Sequence, residues 1–517
     1  MTVQSTTKRA SNRVRLLLLV IVLVAASLRF YNIDFGLPQL YHPDEPTVAI
    51  SQRMFKTGDL NPHFFNYPTL FLYINAAAYV PYYEIGRMLG EFETPDDIAE
   101  LEMLGLGTGL IRTPSVILLG RTLSALVGTL SVVLIYLTGK QLRDPTTGLL
   151  AALLLTFAPI HVMESHYITA NVYVTFFALL VAWTSLNIYH RGLWRDYALA
   201  GIAVGLVMAS KYNGAMTGLF VVIAHFLRNG WSGFKQPKIY VALLLIPITF
   251  VLVTPYAILD FETFWKDMRF EASHYSTGHA GMEGNALQWY LSYFWQSGGL
   301  IAPLALAASI FALYRRAWHV IIVAVFPLVY FVFISSFNVR NARTAMLAEP
   351  FFYLLVAWFL VELWQLLDQR AGKRALRIGR YAIIFFAALI ILFPATRTAR
   401  QLSNLTRIDS RETARVWIEE NLPETSKVGI EAYSPYVDPK RFEVEAIIRA
   451  NYYELDWFAE NEFDFLILSQ GMYNRYLDDP ARYPAEVEQY NRLFNTFEQI
   501  KLFNDGDYEI QIYAVPE

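Results

Sequence analysis

The chain contains no cysteine. That excludes disulfide frameworks, thiolate metal sites and cysteine nucleophiles at one stroke. Charge is scarce as well: Asp, Glu, Lys and Arg make up 17% of the residues and nearly cancel, leaving a net charge of −3. A chain without basic excess offers nothing to a nucleic-acid backbone, so no nucleic-acid partner is expected. No internal repeat or low-complexity tract is evident. What remains is apolar: 55% of the 517 residues are hydrophobic and 15% aromatic, whereas soluble domains carry about 25% charge.

The apolar residues gather in blocks such as Leu16–Ser27, Leu149–Pro159 and Ile383–Pro394. Such blocks, extended to about 20 residues, are long enough to cross a bilayer core as helices, which satisfy their own backbone hydrogen bonds. The first block follows Lys8, Arg9, Arg13 and Arg15. Ala25-Ala26-Ser27 looks like a cleavage site, but further blocks follow and Arg29 caps the far end, so an uncleaved anchor is the preferred reading.

Hydropathy places about eleven crossings, near 14–31, 118–139, 147–163, 171–189, 196–210, 213–228, 238–256, 297–314, 318–336, 345–366 and 380–397. The stretch 68–90 is ambiguous because it contains Asn75, Pro81 and Glu84 among its tyrosines. Loop charge decides. Basic loops lie at Lys140–Arg143, Arg191–Arg195, Arg228–Lys238, Arg315–Arg316 and Arg370–Arg380. If 68–90 does not cross, all of them share the side of the basic N-terminus, as the positive-inside rule requires. The expected arrangement is an inner-membrane (plasma membrane) multi-pass protein with a cytoplasmic N-terminus. Residues 1–398 form a mainly α transmembrane bundle, 32–117 form its first outer loop, 68–90 lies in the outer interface, and 399–517 form an extracytoplasmic α/β domain. Within that domain, Asp409 or Ser410 caps a helix through Glu420, Lys427–Tyr433 and Phe463–Ser469 read as strands, and Leu502–Asp505 with Tyr508–Val515 read as a closing hairpin.

This orientation puts the chemically suggestive residues on one outer face. Tyr41-His42-Pro43-Asp44-Glu45 follows the first crossing. Its adjacent carboxylates suit a general base or a cation ligand, although Pro43 and Asp44 also read as a plain helix start. The short loop after the third crossing holds His161, Glu164, His166 and Asn171. Polar residues also accumulate wherever a helix leaves a bilayer, and a divalent metal on Glu164 with a histidine is an open alternative without a complete ligand set. Lys211, followed by Tyr212, and the pair Arg340 and Arg343 place cations on the side the positive-inside rule disfavours, which points to phosphate binding rather than to snorkelling. His274 and His279, in the polar loop His274–Gly284, are further candidates for substrate contact.

Taken in order, these segments resemble the GT-C superfamily, in the branch of protein O-mannosyltransferases and lipid A aminoarabinose transferases (glycosyltransferase family 39). The resemblance runs from Asp44-Glu45 and Ile50–Asp59 through Asn66-Tyr67-Pro68-Thr69-Leu70 and Gly120-Arg121-Thr122-Leu123-Ser124. It continues in Ala158-Pro159 to Asn171 and in Ser210-Lys211-Tyr212. It covers 14–260 well, 260–400 loosely and the remainder by placement.

The resemblance implies a GT-C bundle, a polyprenyl-phosphate sugar donor and inverting transfer on the non-cytoplasmic face to a protein, lipid or glycan acceptor. It implies Asp44 as the base that deprotonates the acceptor, with Glu45 orienting the acceptor or supporting the base. His42, Glu164, His166, Asn171, Lys211, Tyr212, Arg340 and Arg343 would form the substrate site, the cations holding the donor phosphate. The resemblance assigns no metal ligands, and no cofactor is implied with certainty. Many relatives carry aspartate at the position of Asn171, which shifts weight onto Asp44 and Glu45. A lysine that aminoarabinose transferases carry near Asn66 is missing here, which argues against that substrate. A lipid-linked-glycan transporter and a GT-C scaffold that binds lipid-linked glycan without turnover remain as alternative readings.

Overall fold

A computed structural model describes residues 2–370, 373–506 and 508–516, the side chains of 2–10, 370 and 373–375 excepted. Helices dominate as far as Asn404, and a mixed sheet follows. The first ten helices are α1 Thr2–Phe30, α2 Val48–Thr57, α3 Leu70–Leu89, α4 Pro114–Leu142, α5 Pro145–Thr156, α6 Pro159–Glu164, α7 Asn171–His190, α8 Trp194–Ser210, α9 Gly218–Asn229 and α10 Pro237–Val253. Proline sets several boundaries. Pro114 and Pro145 occupy first-turn positions, where a missing N–H costs nothing, and the Asp144 carboxylate caps α5 by accepting from the Thr147 N–H at 2.9 Å. Pro159 divides the expected crossing 147–163 into α5 and α6.

Among the described residues, five helices are each long and apolar enough to cross a bilayer, or up to seven spans if each of two sharply bent pairs counts as one. The eleven crossings read from hydropathy therefore do not correspond to eleven unbroken long helices. Several are short or interrupted, such as the 12-residue α5 and the 17-residue α8. The stretch 68–90 forms α3 and is not among the five. Phe71, Leu72 and Tyr79 on one side of it are buried, and Val80, Met88 and Leu89 are exposed. The basic loop Arg370–Arg380 lies partly outside the described residues.

Within the bundle, small residues let backbones approach, as expected where lipid offers no hydrophobic drive between helices. A Cβ on Gly139 would fall 2.9 Å from the Gly148 Cα, joining α4 to α5. One on Gly201 would fall 2.3 Å from the Ala242 carbonyl oxygen, joining α8 to α10. Arg29 is fully buried and donates to the Leu155 carbonyl at 3.1 Å. It thus caps the C-terminal end of α5, where the helix dipole favours a cation.

The loop 32–117 carries an unforeseen three-stranded antiparallel sheet: β1 Gln39–Leu40, β2 Leu101–Gly105 and β3 Thr108–Ile111, in the order β1-β3-β2. Beyond the bundle, a helix over Ser410–Asn421 begins at the Asp409 cap, as read from the sequence. A five-stranded sheet follows: β4 Lys427–Glu431, β5 Glu443–Ile447, β6 Phe465–Ser469, β7 Glu498–Phe503 and β8 Ile510–Ala514, in the order β5-β4-β6-β8-β7. β4 runs parallel to β5 and β6, whereas β8 is antiparallel to β6 and β7. The helix before this domain runs to Asn404, past the expected boundary at 398. The two sheets meet. The Tyr433 N–H donates to the Leu106 carbonyl at 2.8 Å, and the Thr108 hydroxyl donates to the Ser434 carbonyl at 2.7 Å. The C-terminal domain thereby sits against the loop that carries Asp44.

Candidate active site

Asp44 lies just before a single 3-10 turn, Glu45–Thr47, and Glu45 is its first residue. Residues around such a turn are rotated by about 120° from one to the next, so the two carboxylates diverge. Asp44 faces a cavity of about 540 Å³. Glu45 is buried and forms a two-pronged ion pair with Arg121, each oxygen 2.9 Å from a guanidinium nitrogen. Glu45 also accepts from the Ile168 N–H at 3.2 Å. Arg121 in turn donates to the Ile33 and Phe35 carbonyls and stacks against the Phe35 ring at 4.1 Å. The sequence reading expects Glu45 to orient the acceptor or to support the base, and this placement keeps its carboxylate out of the cavity. Glu45 fastens three segments together and does not line the cavity.

From Asp44 a chain of polar contacts runs along the cavity. The Asp44 carboxylate pairs with the Arg343 guanidinium, whose Nε lies 3.4 Å from Glu164. Glu164, buried behind the wall, accepts from the Asn171 carboxamide at 2.8 Å and from the Thr169 hydroxyl at 3.0 Å. The Lys211 ammonium donates to the Asn171 carboxamide oxygen at 3.3 Å. Asn171 bridges a carboxylate that accepts and an ammonium that donates, which an amide can do because it both donates and accepts. Burial pushes the Glu164 carboxyl up, opposed by the hydrogen bonds from Asn171 and Thr169 and by the charge of Lys211. Burial lowers the Lys211 ammonium, opposed by Glu164 and Glu271. Among the described residues Lys211 forms no ion pair within 4 Å.

The other expected residues divide. Tyr212 lines the cavity and donates to the Phe65 carbonyl at 2.8 Å. His42 stacks on Tyr167 at 4.1 Å between ring centres and accepts from the Asp44 N–H at 3.2 Å, orienting the backbone beside Asp44 rather than lining the cavity. Burial, then the charges of Arg343, Arg121 and Arg411, hold His42 neutral. His166 is buried, with its ring nitrogens 2.9 Å and 3.1 Å from the Val162 and Tyr31 carbonyls. Arg340 lines a neighbouring cavity instead. No cluster of three or more His, Asp or Glu side chains among the described residues is placed to hold a metal ion; Arg343 occupies the gap between Asp44 and Glu164.

Three lining residues, Glu271, Tyr433 and Arg475, escaped the sequence reading, as did Asp267 behind the wall. Glu271 accepts from the Asn66 carboxamide at 2.7 Å, and Asp267 accepts from the Phe65 N–H at 2.7 Å. With Asp260, which accepts from Asn61 at 2.9 Å, they stud the helix Phe261–Thr277 and its cap at helical spacing. That signal was available. Tyr433 and Arg475 come from the C-terminal domain and had no local signal. Arg475 donates to the Tyr433 hydroxyl at 2.7 Å and to the His279 ring at 2.9 Å. Burial and then the charge of Arg475 hold His279 neutral, lowered to about 4. The lining also includes the apolar side chains of Met268, Phe333, Ile334, Phe337 and Val339.

The cavity's setting has parallels among known proteins. Residues 105–256 match the family described as dolichyl-phosphate-mannose-protein mannosyltransferase, a segment that carries Arg121, Glu164, Asn171 and Lys211. A comparison with curated proteins by sequence gives no match. Among solved structures, the chain is similar to ArnT from Cupriavidus metallidurans bound to undecaprenyl phosphate. The two are 15% identical over 96% of this chain and 97% of that one, with a TM-score of 0.55. It is also similar to the oligosaccharyltransferase AglB from Archaeoglobus fulgidus in complex with an inhibitory peptide and a dolichol-phosphate. There the identity is 12% over 98% of this chain and 75% of that one, with a TM-score of 0.54. The fold is therefore the GT-C fold, a helical membrane bundle followed by a domain containing a sheet, and the chain resembles the family 39 branch.

Proposed function

We propose that this protein is an integral membrane glycosyltransferase. It moves a sugar from a polyprenyl-phosphate-linked donor to an acceptor on the non-cytoplasmic face of the inner (plasma) membrane, and it inverts the anomeric carbon. Its N-terminus is cytoplasmic and its C-terminal domain extracytoplasmic. The observation that carries this reading is one cavity holding the Asp44 carboxylate and, across Arg343, Glu164 and Asn171, a lysine ammonium bonded to an amide rather than to an acid. A carboxylate is a base for a hydroxyl or amide acceptor. A lysine and an arginine match a phosphate leaving group.

In the reaction, the acceptor atom loses its proton to Asp44 and bonds to the anomeric carbon. The bond from that carbon to the phosphate oxygen breaks, and polyprenyl phosphate departs with the electron pair. Lys211 and Arg343 stabilise the charge that builds on the phosphate. The apolar wall of Phe333, Ile334 and Phe337 offers a path for the prenyl chain. Support for that ligand class comes from the fold's other members, since the ArnT structure holds undecaprenyl phosphate and the AglB structure a dolichol-phosphate.

The test is incubation of the purified protein with radiolabelled polyprenyl-phospho-sugars and membrane extract as acceptor. Release of polyprenyl phosphate with labelled product supports the reading. Binding without turnover identifies a scaffold, and neither binding nor turnover removes the donor class from consideration.

A further inference from the structure

Beside the Asp44 cavity lies a second one of about 510 Å³. The partition is the segment Gly278–Gly284 together with Arg475. His279 and Met282 line the first cavity, Gly281 and Glu283 the second, and Arg475 lines both. Glycine is required at Gly281, where φ is +80° and a Cβ would meet the Arg475 Cγ at 2.9 Å. The partition can therefore be thin.

The two cavities differ in chemistry. The first includes many apolar side chains in its lining. The second balances the guanidinium groups of Arg340, Arg475 and Arg482 against the carboxylates of Glu283, Asp478 and Asp479. A phosphate or carboxylate ligand calls for donors alone, and the three acids would repel it. A prenyl or acyl chain calls for neither. A sugar hydroxyl both donates and accepts, so it is matched by a wall that offers both. The Tyr483 and Tyr508 rings add flat apolar surface to the same lining, suited to the C–H face of a pyranose. Part of this capacity is engaged, since Arg475 donates to Gly471, His279 and Tyr433 and Glu283 accepts from Tyr483 and pairs with Arg482, and part is unspent. The side chains of Asn474, Asp478 and Asp479 make no hydrogen bond or ion pair among the described residues, and the Arg340 Nε is buried without a partner.

We propose that the second cavity is a saccharide-binding cleft that holds the glycan part of the acceptor, with the sugar's leading hydroxyl passing Arg475 toward Asp44. The delivery toward Asp44 rests on the transferase reading, whereas saccharide binding does not.

Saturation-transfer NMR on the detergent-solubilised full chain, with maltose, cellobiose and α-1,6-mannobiose at millimolar concentration, tests the cleft. At least one disaccharide is expected to bind. Asn474→Ala and Asp478→Asn, both checked for a monodisperse size-exclusion profile, should each weaken it at least tenfold, and Asp44→Asn should leave it unchanged. No binding of any of the three disaccharides, or binding indifferent to both cleft variants, overturns the proposal. Displacement of the sugar signal by a serine-containing peptide whose own binding needs Asn474 and Asp478 also overturns it, in favour of a peptide occupant. Sugar binding that persists in a protein without any transfer activity sinks the transferase reading and leaves the cleft standing.

Discussion

The Asp44 carboxylate is paired with the guanidinium of Arg343, a residue 299 positions further along the chain. The proposed base and one proposed phosphate ligand are thus joined to each other before any substrate arrives. A donor phosphate that draws Arg343 to itself frees Asp44 to meet the acceptor. Arg343→Gln removes a charged hydrogen-bond donor worth about 1.5–3 kcal/mol, which corresponds to roughly 10- to 100-fold. The expected outcome is a rise of that size in the donor KM, read from initial rates at saturating acceptor.

Asp44→Asn keeps the size of the side chain and removes its basicity. Transfer should fall by about 10²- to 10⁴-fold, the usual contribution of a general base, while membrane insertion and the size-exclusion profile stay normal. Transfer at the wild-type rate would take the base assignment away from Asp44.

Asn171 donates to Glu164 at 2.8 Å and accepts from Lys211 at 3.3 Å. Asn171→Asp places a second carboxyl against Glu164 and offers Lys211 an acid partner. Lys211 is then partly neutralised as a phosphate ligand. Donor affinity should drop about tenfold, in line with one charged contact, with a smaller change in kcat. A tighter-binding variant in a donor titration would show that Asn171 is not the element that keeps Lys211 available.

The Glu45–Arg121 pair is buried on both sides. Removing one partner strands the other, at a cost of about 3–5 kcal/mol. Glu45→Leu or Arg121→Met alone should lower the thermal inactivation midpoint in detergent sharply. The double variant should recover part of the loss, because no uncompensated charge remains. Equal losses in single and double variants would contradict the pairing.

Glu431 sits inside the C-terminal domain and accepts from the Ala450 and Ser469 N–H groups and from the Tyr490 hydroxyl. Burial raises its carboxyl from 4.5 to about 7. A folded-state value above the unfolded one means that the folded form holds the proton more tightly. The associated stability is present below about pH 4.5 and is lost as pH rises through about 7. The unfolding midpoint of this domain, followed by tryptophan fluorescence, should fall between pH 5 and 8. Glu431→Gln should flatten that fall.

What the sequence made readable was chemistry that stands out against a local background. Lys211 and Arg343 were conspicuous because the positive-inside rule disfavours cations where they were expected. Strands β4 and β6, the Asp409 cap and the closing hairpin each depend on neighbours in the sequence, and they form close to where their residues suggested. Contacts across the chain left no such trace. Glu45 looks like a twin of Asp44 until a 3-10 turn sends it to Arg121, 76 residues away. Tyr433 and Arg475 reach the cavity only because the sheet of loop 32–117 and the C-terminal domain dock. Helix breaks within the expected crossings left no trace for a related reason: hydropathy averages over Pro159 and Gly214, whereas a backbone does not.

The docking of loop 32–117 on the C-terminal domain also sets an order of events during synthesis. Tyr41, three residues from Asp44, hydrogen-bonds to Glu412, which is encoded 371 residues later. At about 5–20 residues per second, the ribosome needs roughly 20 to 75 seconds to supply that partner after Tyr41 is made. The loop bearing the proposed base is thus delivered early and completed last. A nascent or truncated chain that ends before residue 412 carries Asp44 without its finished surroundings, so transfer activity should appear only with the full-length product.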